Sequence, residues 1–134
     1  MRAEVITLDT SGSPTTDVTR AVEKFASEAG GDGLLNVFLP HATAGLALME
    51  TGSGSEHDLE EILGAVLPRD HDYVHRHGSP GHGADHLLPV FVSPSLTIPV
   101  EGGRAQLGTW QNVVVVDFNA DNPTRKLRLS FVPG

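Results

Sequence analysis

Short runs in which apolar residues alternate with polar ones, or are β-branched, recur along the chain and predict β-strands. The first run, residues 4–9, alternates polar and apolar positions. The next is largely apolar and ends at Pro40. Turn sequences separate the later runs, and Glu101-Gly102-Gly103 is typical of a hairpin turn. The predicted strands are residues 4–9, 34–39, 95–100, 104–107, 111–117 and 125–131.

Two segments have apolar residues at helical spacing instead. The first runs from a capping threonine, Thr15 or Thr16, to Ala29, and glycines stop it. The second runs over residues 56–67, where Pro68 ends it. The expected buried faces are Val18, Ala21, Val22, Phe25 and Ala26 in the first helix, and Leu59, Ile62, Leu63 and Val66 in the second.

Three segments do not follow a simple pattern. Residues 42–49 are small and apolar, which fits a strand or a tight turn that leads into one. Residues 86–92 fit a helix or a strand, because Pro89 interrupts either. Residues 70–83 form a long predicted loop that contains four histidines, and loops of this length in a small domain are usually functional or disordered.

Together these elements predict one compact α+β domain over residues 1–134. It has a predominantly antiparallel, sandwich-like β-sheet and two amphipathic helices. A hydrophobic content of 39% and a charged content of 19% suit a globular chain. No apolar run approaches the roughly 20 residues that cross a bilayer, and no signal peptide is evident, so we expect a cytoplasmic protein without membrane contact.

Charge and cysteine content narrow the function. The net charge is −8, and residues 41–90 carry eight acidic and two basic residues. A chain without a basic stripe is not expected to bind nucleic acid. The basic residues near the C-terminus could pair with an anionic substrate group, provided that the fold brings them near the histidines; they are Arg104, Arg125, Lys126 and Arg128. Because the chain has no cysteine, a transition-metal site would have to use histidine and carboxylate ligands.

All seven histidines lie between His41 and His86, and imidazole is a metal ligand and a proton carrier near neutral pH. His82 and His86 are four residues apart, a spacing that places both rings on one face of a helix. His71 and His75 have the same spacing. His57, by contrast, lies among acidic residues on what reads as a solvated helix face.

Two further residues stand out near the first histidine. His41 follows an apolar strand and is either open to a ligand or satisfied by the backbone at the strand end. Glu50 ends an apolar run, so its carboxylate is either a ligand or base, or marks where the chain reaches solvent. The turn at residues 108–111 has backbone amides that can bind an anion, although a hairpin closed by a core Trp110 is the alternative.

Taken together, these segments resemble the YjbQ family in three blocks. The first is residues 41–50, a His-Ala-Thr-Ala block that ends in Glu50. The second comprises Tyr73-Val74-His75 and Ala84-Asp85-His86. The third, the most specific, joins Leu-Thr-Ile-Pro-Val-Glu-Gly-Gly-Arg at 96–104 to Leu-Gly-Thr-Trp-Gln at 107–111. The chain departs from the family where a lysine usually follows His86, and in the turn at residues 120–125.

The resemblance implies a compact α+β homotrimer with a secondary thiamine-phosphate synthase activity and, in some members, a bound metal or oxyanion. It also makes stronger candidates of five residues that fall on positions held by the family: His41, Glu50, Asp58, His75 and His86. We predict three groups of site residues. The metal ligands are His41, His75 and His86, with zinc as the first candidate. The catalytic carboxylates are Glu50 and, less directly, Asp58. The phosphate-binding residues are Thr109, Gln111 and Arg125.

The sequence therefore predicts a small metal-dependent enzyme with a histidine-centred site that acts on a phosphorylated small molecule. The alternative is a trimer that binds a metal or a small anionic metabolite without turning it over.

Overall fold

Eight strands form two antiparallel sheets in the computed structural model, which describes residues 1–134. One sheet has five strands in the order β1-β8-β3-β5-β6, and the other has three in the order β2-β7-β4. The strands are β1 (Arg2–Asp9), β2 (Thr15–Asp17), β3 (Gly33–Phe38), β4 (Gly45–Met49), β5 (Ser95–Glu101), β6 (Arg104–Ala105), β7 (Asn112–Val116) and β8 (Thr124–Pro133). The helices are α1 (Thr19–Ala29), α2 (Ser55–Val66) and α3 (His82–Phe91).

The main core lies between the two sheets and is closed by α1. Leu127, Leu129 and Phe131 alternate along β8 and point inward, as the two-residue period of a strand requires. They meet the buried face of α1, which includes Val22 and Phe25. Apolar side chains from both sheets thus share one interior, which confirms the predicted α+β, sandwich-like domain.

Strand β7 is buried on both faces and connects this core to a second one. Val113 and Val115 belong to the main core, whereas Val114 and Val116 belong to a smaller cluster beneath α2 and α3. A strand covered on both sides is expected to be continuously apolar, as residues 113–116 are. Helix α3, which carries two histidines, is therefore packed against the centre of the fold.

The hairpin predicted at Glu101-Gly102-Gly103 is confirmed. Glu101 of β5 pairs with Arg104 of β6, which leaves Gly102 and Gly103 as the two loop residues. Their φ values are 57° and 75°. A two-residue turn with positive φ at both positions matches the twist of the flanking strands and favours glycine.

The N-terminal boundary of the first helix was predicted too early. Thr15 and Thr16 belong to β2, where they pair with Val116 and Val115 of β7. Their β-branched side chains favour this extended conformation. Helix α1 begins at Thr19, whose backbone N–H and hydroxyl donate to the carboxylate of Asp17.

Two further expectations about helices need correction. The protein has three helices instead of two, because the ambiguous segment around His86 is helical, with Pro89 only two residues before the helix ends. The predicted buried stripe of α2 is only partly right. Leu63 is buried, whereas Ile62 and Val66 are 62% and 51% exposed. None of the three helices is long and apolar enough to cross a membrane.

A buried ion pair connects the end of β7 to the start of β8. The Arg125 guanidinium donates from Nε and Nη2 to the two carboxylate oxygens of Asp117, at 2.7 and 3.0 Å. It also donates to the hydroxyl of Thr43 at 2.8 Å, and the Thr10 hydroxyl donates to Asp117 at 2.7 Å. Both charged side chains are 1% exposed. Both carboxylate oxygens of Asp117 thus accept from Arg125, which compensates the burial of the two charges.

We predict that Asp117→Ala destabilises the protein by about 3–5 kcal/mol, because it leaves the buried Arg125 charge without its partner. Urea unfolding at neutral pH measures the change. The matched control is Asp72→Ala, which removes a carboxylate that is 82% exposed and paired with Arg76. The control should change the unfolding free energy little. Equal effects of the two substitutions would contradict the structural role of the buried pair.

Candidate metal centre

Three histidines meet at the N-terminal end of α3. His75, His82 and His86 each offer a ring nitrogen, and these three atoms all lie within 4.8 Å of one another. His82 and His86 come from successive turns of α3, and His75 comes from the loop before the helix. A three-histidine cluster of this size is a recognised arrangement for binding a transition metal.

Glycine allows the loop to approach the helix closely. A Cβ at Gly83, on the first turn of α3, would lie 2.6 Å from Cβ of Tyr73 and 2.8 Å from the carbonyl oxygen of His75. Such distances are too short for any side chain, so only glycine lets the segment carrying His75 pack against this turn. The contact brings His75 to the two helical histidines.

The imidazole rings contact one another directly. Nε2 of His86 lies 2.9 Å from Nε2 of His82. The ring centroid of His75 is 4.4 Å from that of His86 and 5.4 Å from that of His82. A fourth ring, His77, has its centroid 4.0 Å from His75 and 4.7 Å from His82. The centre is therefore rich in nitrogen donors.

An ion pair with Asp85 of α3 also fastens the loop to the helix. Arg69 donates to the two carboxylate oxygens of Asp85 at 2.6 and 3.3 Å, and also to the carbonyl oxygen of Pro80 at 3.2 Å. Asp85 is 3% exposed and accepts a further hydrogen bond from Asn119. These contacts tie both ends of the histidine loop to the helix that carries His82 and His86.

Asp121, in the loop between β7 and β8, contacts the centre from a third direction. Its Oδ2 atom lies 3.1 Å from Nδ1 of His82 and accepts the backbone N–H of Ser79 at 3.0 Å. The Ser79 hydroxyl donates to Oδ1. Hydrogen bonds from the Ser79 hydroxyl and N–H hold the pKa of Asp121 below its usual range. The carboxylate is thus ionised at neutral pH.

The electrostatics of the cluster lower the pKa of two of its imidazoles, those of His75 and His86. Burial lowers the pKa of His86, and the neighbouring rings of His75, His82 and His77 lower it further. Partial desolvation lowers the pKa of His75, with added repulsion from His77 and His82. A metal requires the unprotonated ring, so these shifts keep lone pairs available at neutral pH.

A polar hollow of about 300 Å³ opens beside the cluster. Its lining includes His75 and His82 together with two arginines, Arg69 and Arg76. Polar and charged side chains dominate the wall, so the hollow suits a small polar molecule. The exposed guanidinium of Arg76 can pair with phosphate or carboxylate oxygens, whereas that of Arg69 is engaged by Asp85.

The structure brings two of the three predicted metal ligands together, His75 and His86, and adds His82. His41 is not part of this cluster. Its Nε2 accepts the backbone N–H of Lys126 at 2.8 Å. This contact corresponds to the alternative in which a strand-end histidine is satisfied by the backbone.

The predicted carboxylates and turn residues lie outside the histidine cluster. Glu50 is partly exposed just after β4, and Asp58 is exposed on α2. Thr109 and Gln111 are exposed in the turn before β7, where the Gln111 side chain accepts the N–H of Gly108. Trp110 is 71% exposed, so it is not the core residue that the alternative reading of this turn required. Their catalytic and phosphate-binding roles stay predictions.

Arg125 is committed to the core. Its hydrogen bonds go to Asp117 and Thr43, and the side chain is 1% exposed. Its predicted role in phosphate binding would therefore require the buried pair to open. His57, as expected, is exposed on α2 and lies 3.4 Å from Glu61.

Sequence reasoning did not identify Asp85, Asn119 or Asp121 as part of the centre. The i, i+4 spacing of His82 and His86 pointed to the helical pair. No sequence signal connected the loop after β7 to residues some 40 positions earlier, because that contact depends on how β7 lies beneath α3.

These observations define the class of protein: it is a small α+β domain with a three-histidine cluster. The sequence model of the YjbQ-like UPF0047 proteins matches residues 4–134. The chain therefore belongs to the YjbQ-like UPF0047 family, as its sequence blocks predicted.

Individual relatives agree. The UPF0047 protein Rv2556c of Mycobacterium tuberculosis is 58% identical over 134 residues, which is all of both chains. The UPF0047 protein YugU of Bacillus subtilis is 34% identical over 105 residues, 77% of this chain and 78% of that protein. These relatives carry family names and no stated activity.

Solved structures share the fold. The hypothetical protein APE1520 from Aeropyrum pernix matches with a TM-score of 0.90 and 30% identity over the whole of both chains. A protein of unknown function from Sulfolobus solfataricus matches with a TM-score of 0.91 and 21% identity, covering 99% of this chain and 97% of that one. At that identity the second comparison supports the fold alone.

We predict that His41 titrates below its ordinary pKa of about 6.5, because partial burial and the nearby Arg125 charge disfavour the imidazolium. The His41 imidazole therefore binds a proton more readily in the unfolded state than in the folded state. The stabilisation from His41 is present above about pH 6.5 and is lost as pH falls through the lower folded-state pKa. NMR titration of the ring gives the pKa, and urea unfolding between pH 7.5 and 5 gives the stability.

The comparison variant is His41→Gln, whose amide oxygen can accept the Lys126 N–H but does not titrate. It should lose less stability on acidification than the wild-type protein does. A pKa at or above about 6.5, together with identical pH slopes for the two proteins, would refute the prediction.

Proposed function

We propose that this protein is a small metal-dependent enzyme that acts on a phosphorylated small molecule. The observation that carries the proposal is the cluster of His75, His82 and His86, whose ligand atoms lie within 4.8 Å of one another beside a polar hollow. We revise the ligand set expected from the sequence accordingly, with His82 in place of His41.

The residues present fit a divalent transition metal. Three imidazoles are suitable ligands for zinc, which stays our first candidate, and the chain offers no thiolate. Three protein ligands leave room for a substrate atom in the coordination sphere. Bound there, the cation would supply positive charge to phosphate oxygens and to a departing anion.

The hollow supports a phosphorylated substrate. Arg76 lines it with a side chain that is 69% exposed; Nε donates to the carbonyl oxygen of Tyr73, and the ion pair is with the similarly exposed Asp72. Such a surface pair is weak, so a phosphate group can compete for the guanidinium. The chain has a net charge of −8, so these local positive charges matter for attracting an anion.

The family resemblance suggests which reaction to test first. Thiamine-phosphate synthesis joins a pyrimidine pyrophosphate to a thiazole phosphate and releases pyrophosphate. The leaving group needs charge neutralisation, which the metal and Arg76 would provide. Within this proposal, Glu50 and Asp58 are retained as candidate catalytic carboxylates, and Thr109 and Gln111 as candidate phosphate contacts. Arg125 is a phosphate contact only if its guanidinium leaves Asp117 and Thr43.

One observation favours a non-enzymatic alternative, a protein that binds a metal without turnover. The ring of His77 lies 4.0 Å from that of His75, centroid to centroid. A fourth imidazole that joined the other three would close a tetrahedral site, and closed sites are typical of structural or storage roles.

We also propose that the protein forms a homotrimer, as the resemblance implies. Leu87, Val90 and Phe91 share one face of α3 at i, i+3 and i+4 positions and are 40%, 75% and 60% exposed. An apolar helix face of this kind is suited to burial against another subunit.

We predict that the purified protein binds zinc at about one equivalent per chain, and that His82→Ala or His86→Ala abolishes this binding while the fold is retained. Metal analysis after dialysis gives the stoichiometry, and circular dichroism monitors the fold. Turnover of the metal-loaded protein is then screened on phosphorylated substrates, beginning with the two precursors of thiamine phosphate.

Two controls make the assignment specific. His41→Ala should keep the metal, since His41 lies outside the cluster, and the exposed His57→Ala should behave like the wild-type protein. Loss of metal in His41→Ala with retention in His82→Ala would restore the ligand set expected from the sequence. Stoichiometric metal without turnover of any phosphorylated substrate would favour the binding protein.

We predict a solution mass of about three chains per particle, measured by light scattering at moderate salt over a range of concentrations. Phe91→Asp on the exposed face of α3 should shift the mass towards one chain, because it places a charge in the proposed contact. A wild-type protein that stays monomeric at all concentrations would contradict the trimer.

A further inference from the structure

The carboxylate of Asp121 is held in place between Ser79 and His82. Two donors of Ser79, the backbone N–H and the hydroxyl, reach its oxygens, and Nδ1 of His82 lies 3.1 Å from Oδ2. The His82 side chain is only 12% exposed. The Asp121 side chain is 35% exposed, so the contact lies at the edge of the centre, where the two Ser79 donors fix the orientation of the carboxylate.

The chemistry of this contact decides which nitrogen of His82 carries the proton. An ionised carboxylate only accepts hydrogen bonds, so Nδ1 must donate. The side-chain nitrogen of Asn119 is 3.4 Å from the same Nδ1 atom and would prefer it unprotonated. That contact is longer and uncharged, and Asn119 already donates to Asp85 at 3.0 Å. The charged acceptor therefore prevails, and Nε2 of His82 keeps its lone pair.

The free lone pair points towards the other histidines. Nε2 of His82 lies 2.9 Å from Nε2 of His86, so in the metal-free protein His86 must donate the proton of this hydrogen bond. His82 is then the ring already set to ligate a cation, whereas His86 must first give up its Nε2 proton to Nδ1 or to solvent.

The loop that carries Asp121 is itself ordered by hydrogen bonds. The Asn119 side-chain oxygen accepts the backbone N–H groups of Asp121 and Asn122 at 3.1 and 3.0 Å. The backbone N–H of Asn119 donates to Asp117, the partner of Arg125 in the core. The position of Asp121 therefore follows from the buried ion pair, and little ordering remains to be done when a metal binds.

We propose that Asp121 is a positioning residue of the metal centre: it holds His82 as the Nδ1-protonated tautomer and presents Nε2 to the cation. This inference rests on the proposed function for the metal, but the tautomer can be tested without metal. Removal of a carboxylate that orients a ligating histidine in this way typically lowers metal affinity by roughly 10- to 100-fold.

The experiment compares the wild-type protein with Asp121→Ala and Ser79→Ala. Long-range ¹H–¹⁵N correlation spectra of the metal-free proteins report the tautomer of His82, and chelator competition reports zinc affinity. Asp9→Asn is the matched control, because Asp9 also accepts the N–H and hydroxyl of a serine, Ser11, on an exposed turn. Asp72→Asn controls for losing a negative charge beside the hollow.

We expect the Nδ1-protonated form of His82 in the wild-type protein and a mixture of tautomers in Asp121→Ala. Zinc affinity of Asp121→Ala should fall by roughly 10- to 100-fold. Ser79→Ala keeps the Asp121 carboxylate, so its loss of zinc affinity should be smaller than that of Asp121→Ala. Both controls should bind zinc as the wild-type protein does.

Three results would separate the alternatives. An unchanged tautomer and affinity in Asp121→Ala would overturn the inference. Equal affinity losses in Asp121→Ala and Ser79→Ala with an unchanged tautomer would also overturn it, since they would show that Asp121 only fastens the loop. A wild-type protein that binds no zinc but shows the Asp121-dependent tautomer would refute the proposed metal function and support the positioning of His82.

Discussion

The buried pair between Arg125 and Asp117 is the interaction on which the rest of the architecture depends. It joins the end of β7 to the start of β8 inside the core, where an unpaired charge would be strongly destabilising. The loop between these strands is thereby anchored at both ends. From this anchor Asn119 reaches Asp85 of α3, and Asp121 reaches the histidine loop.

Three residues at alternate positions of the loop between β7 and β8 thus contact three different parts of the molecule. Asp117 faces the core, Asn119 holds α3, and Asp121 contacts Ser79 and His82. The hydrogen bonds of Asp121 with Ser79 hold the end of the irregular loop between α2 and α3, the loop that carries His75, beside the helix.

Local patterns in the sequence predict most of the fold. The alternation of β8, the apolar run of β7 and the glycines of the β5–β6 hairpin each specify their conformation within a few residues. Two predictions about the helices were wrong because tertiary contacts decided the outcome. Thr15 and Thr16 joined a sheet instead of a helix, and Ile62 and Val66 were left exposed because α2 buries only a narrow stripe.

The site was less accessible to sequence reasoning for a related reason. The spacing of His82 and His86 is a helical signal, and it pointed to those two rings once the segment proved to be α3. His41 was favoured by its place in a family block, but its ring nitrogen is engaged by the backbone of Lys126. The role of Asp121 could be recognised only from the structure, because its contacts with Ser79 and His82 join positions about 40 residues apart.

A crystal structure of the zinc-loaded protein, with anomalous data collected on both sides of the zinc absorption edge, tests the central claim most directly. We predict one anomalous peak per chain, within about 2.0–2.1 Å of a ring nitrogen of each of His75, His82 and His86. A peak on His41, or no ordered zinc near α3, would contradict the account of this centre.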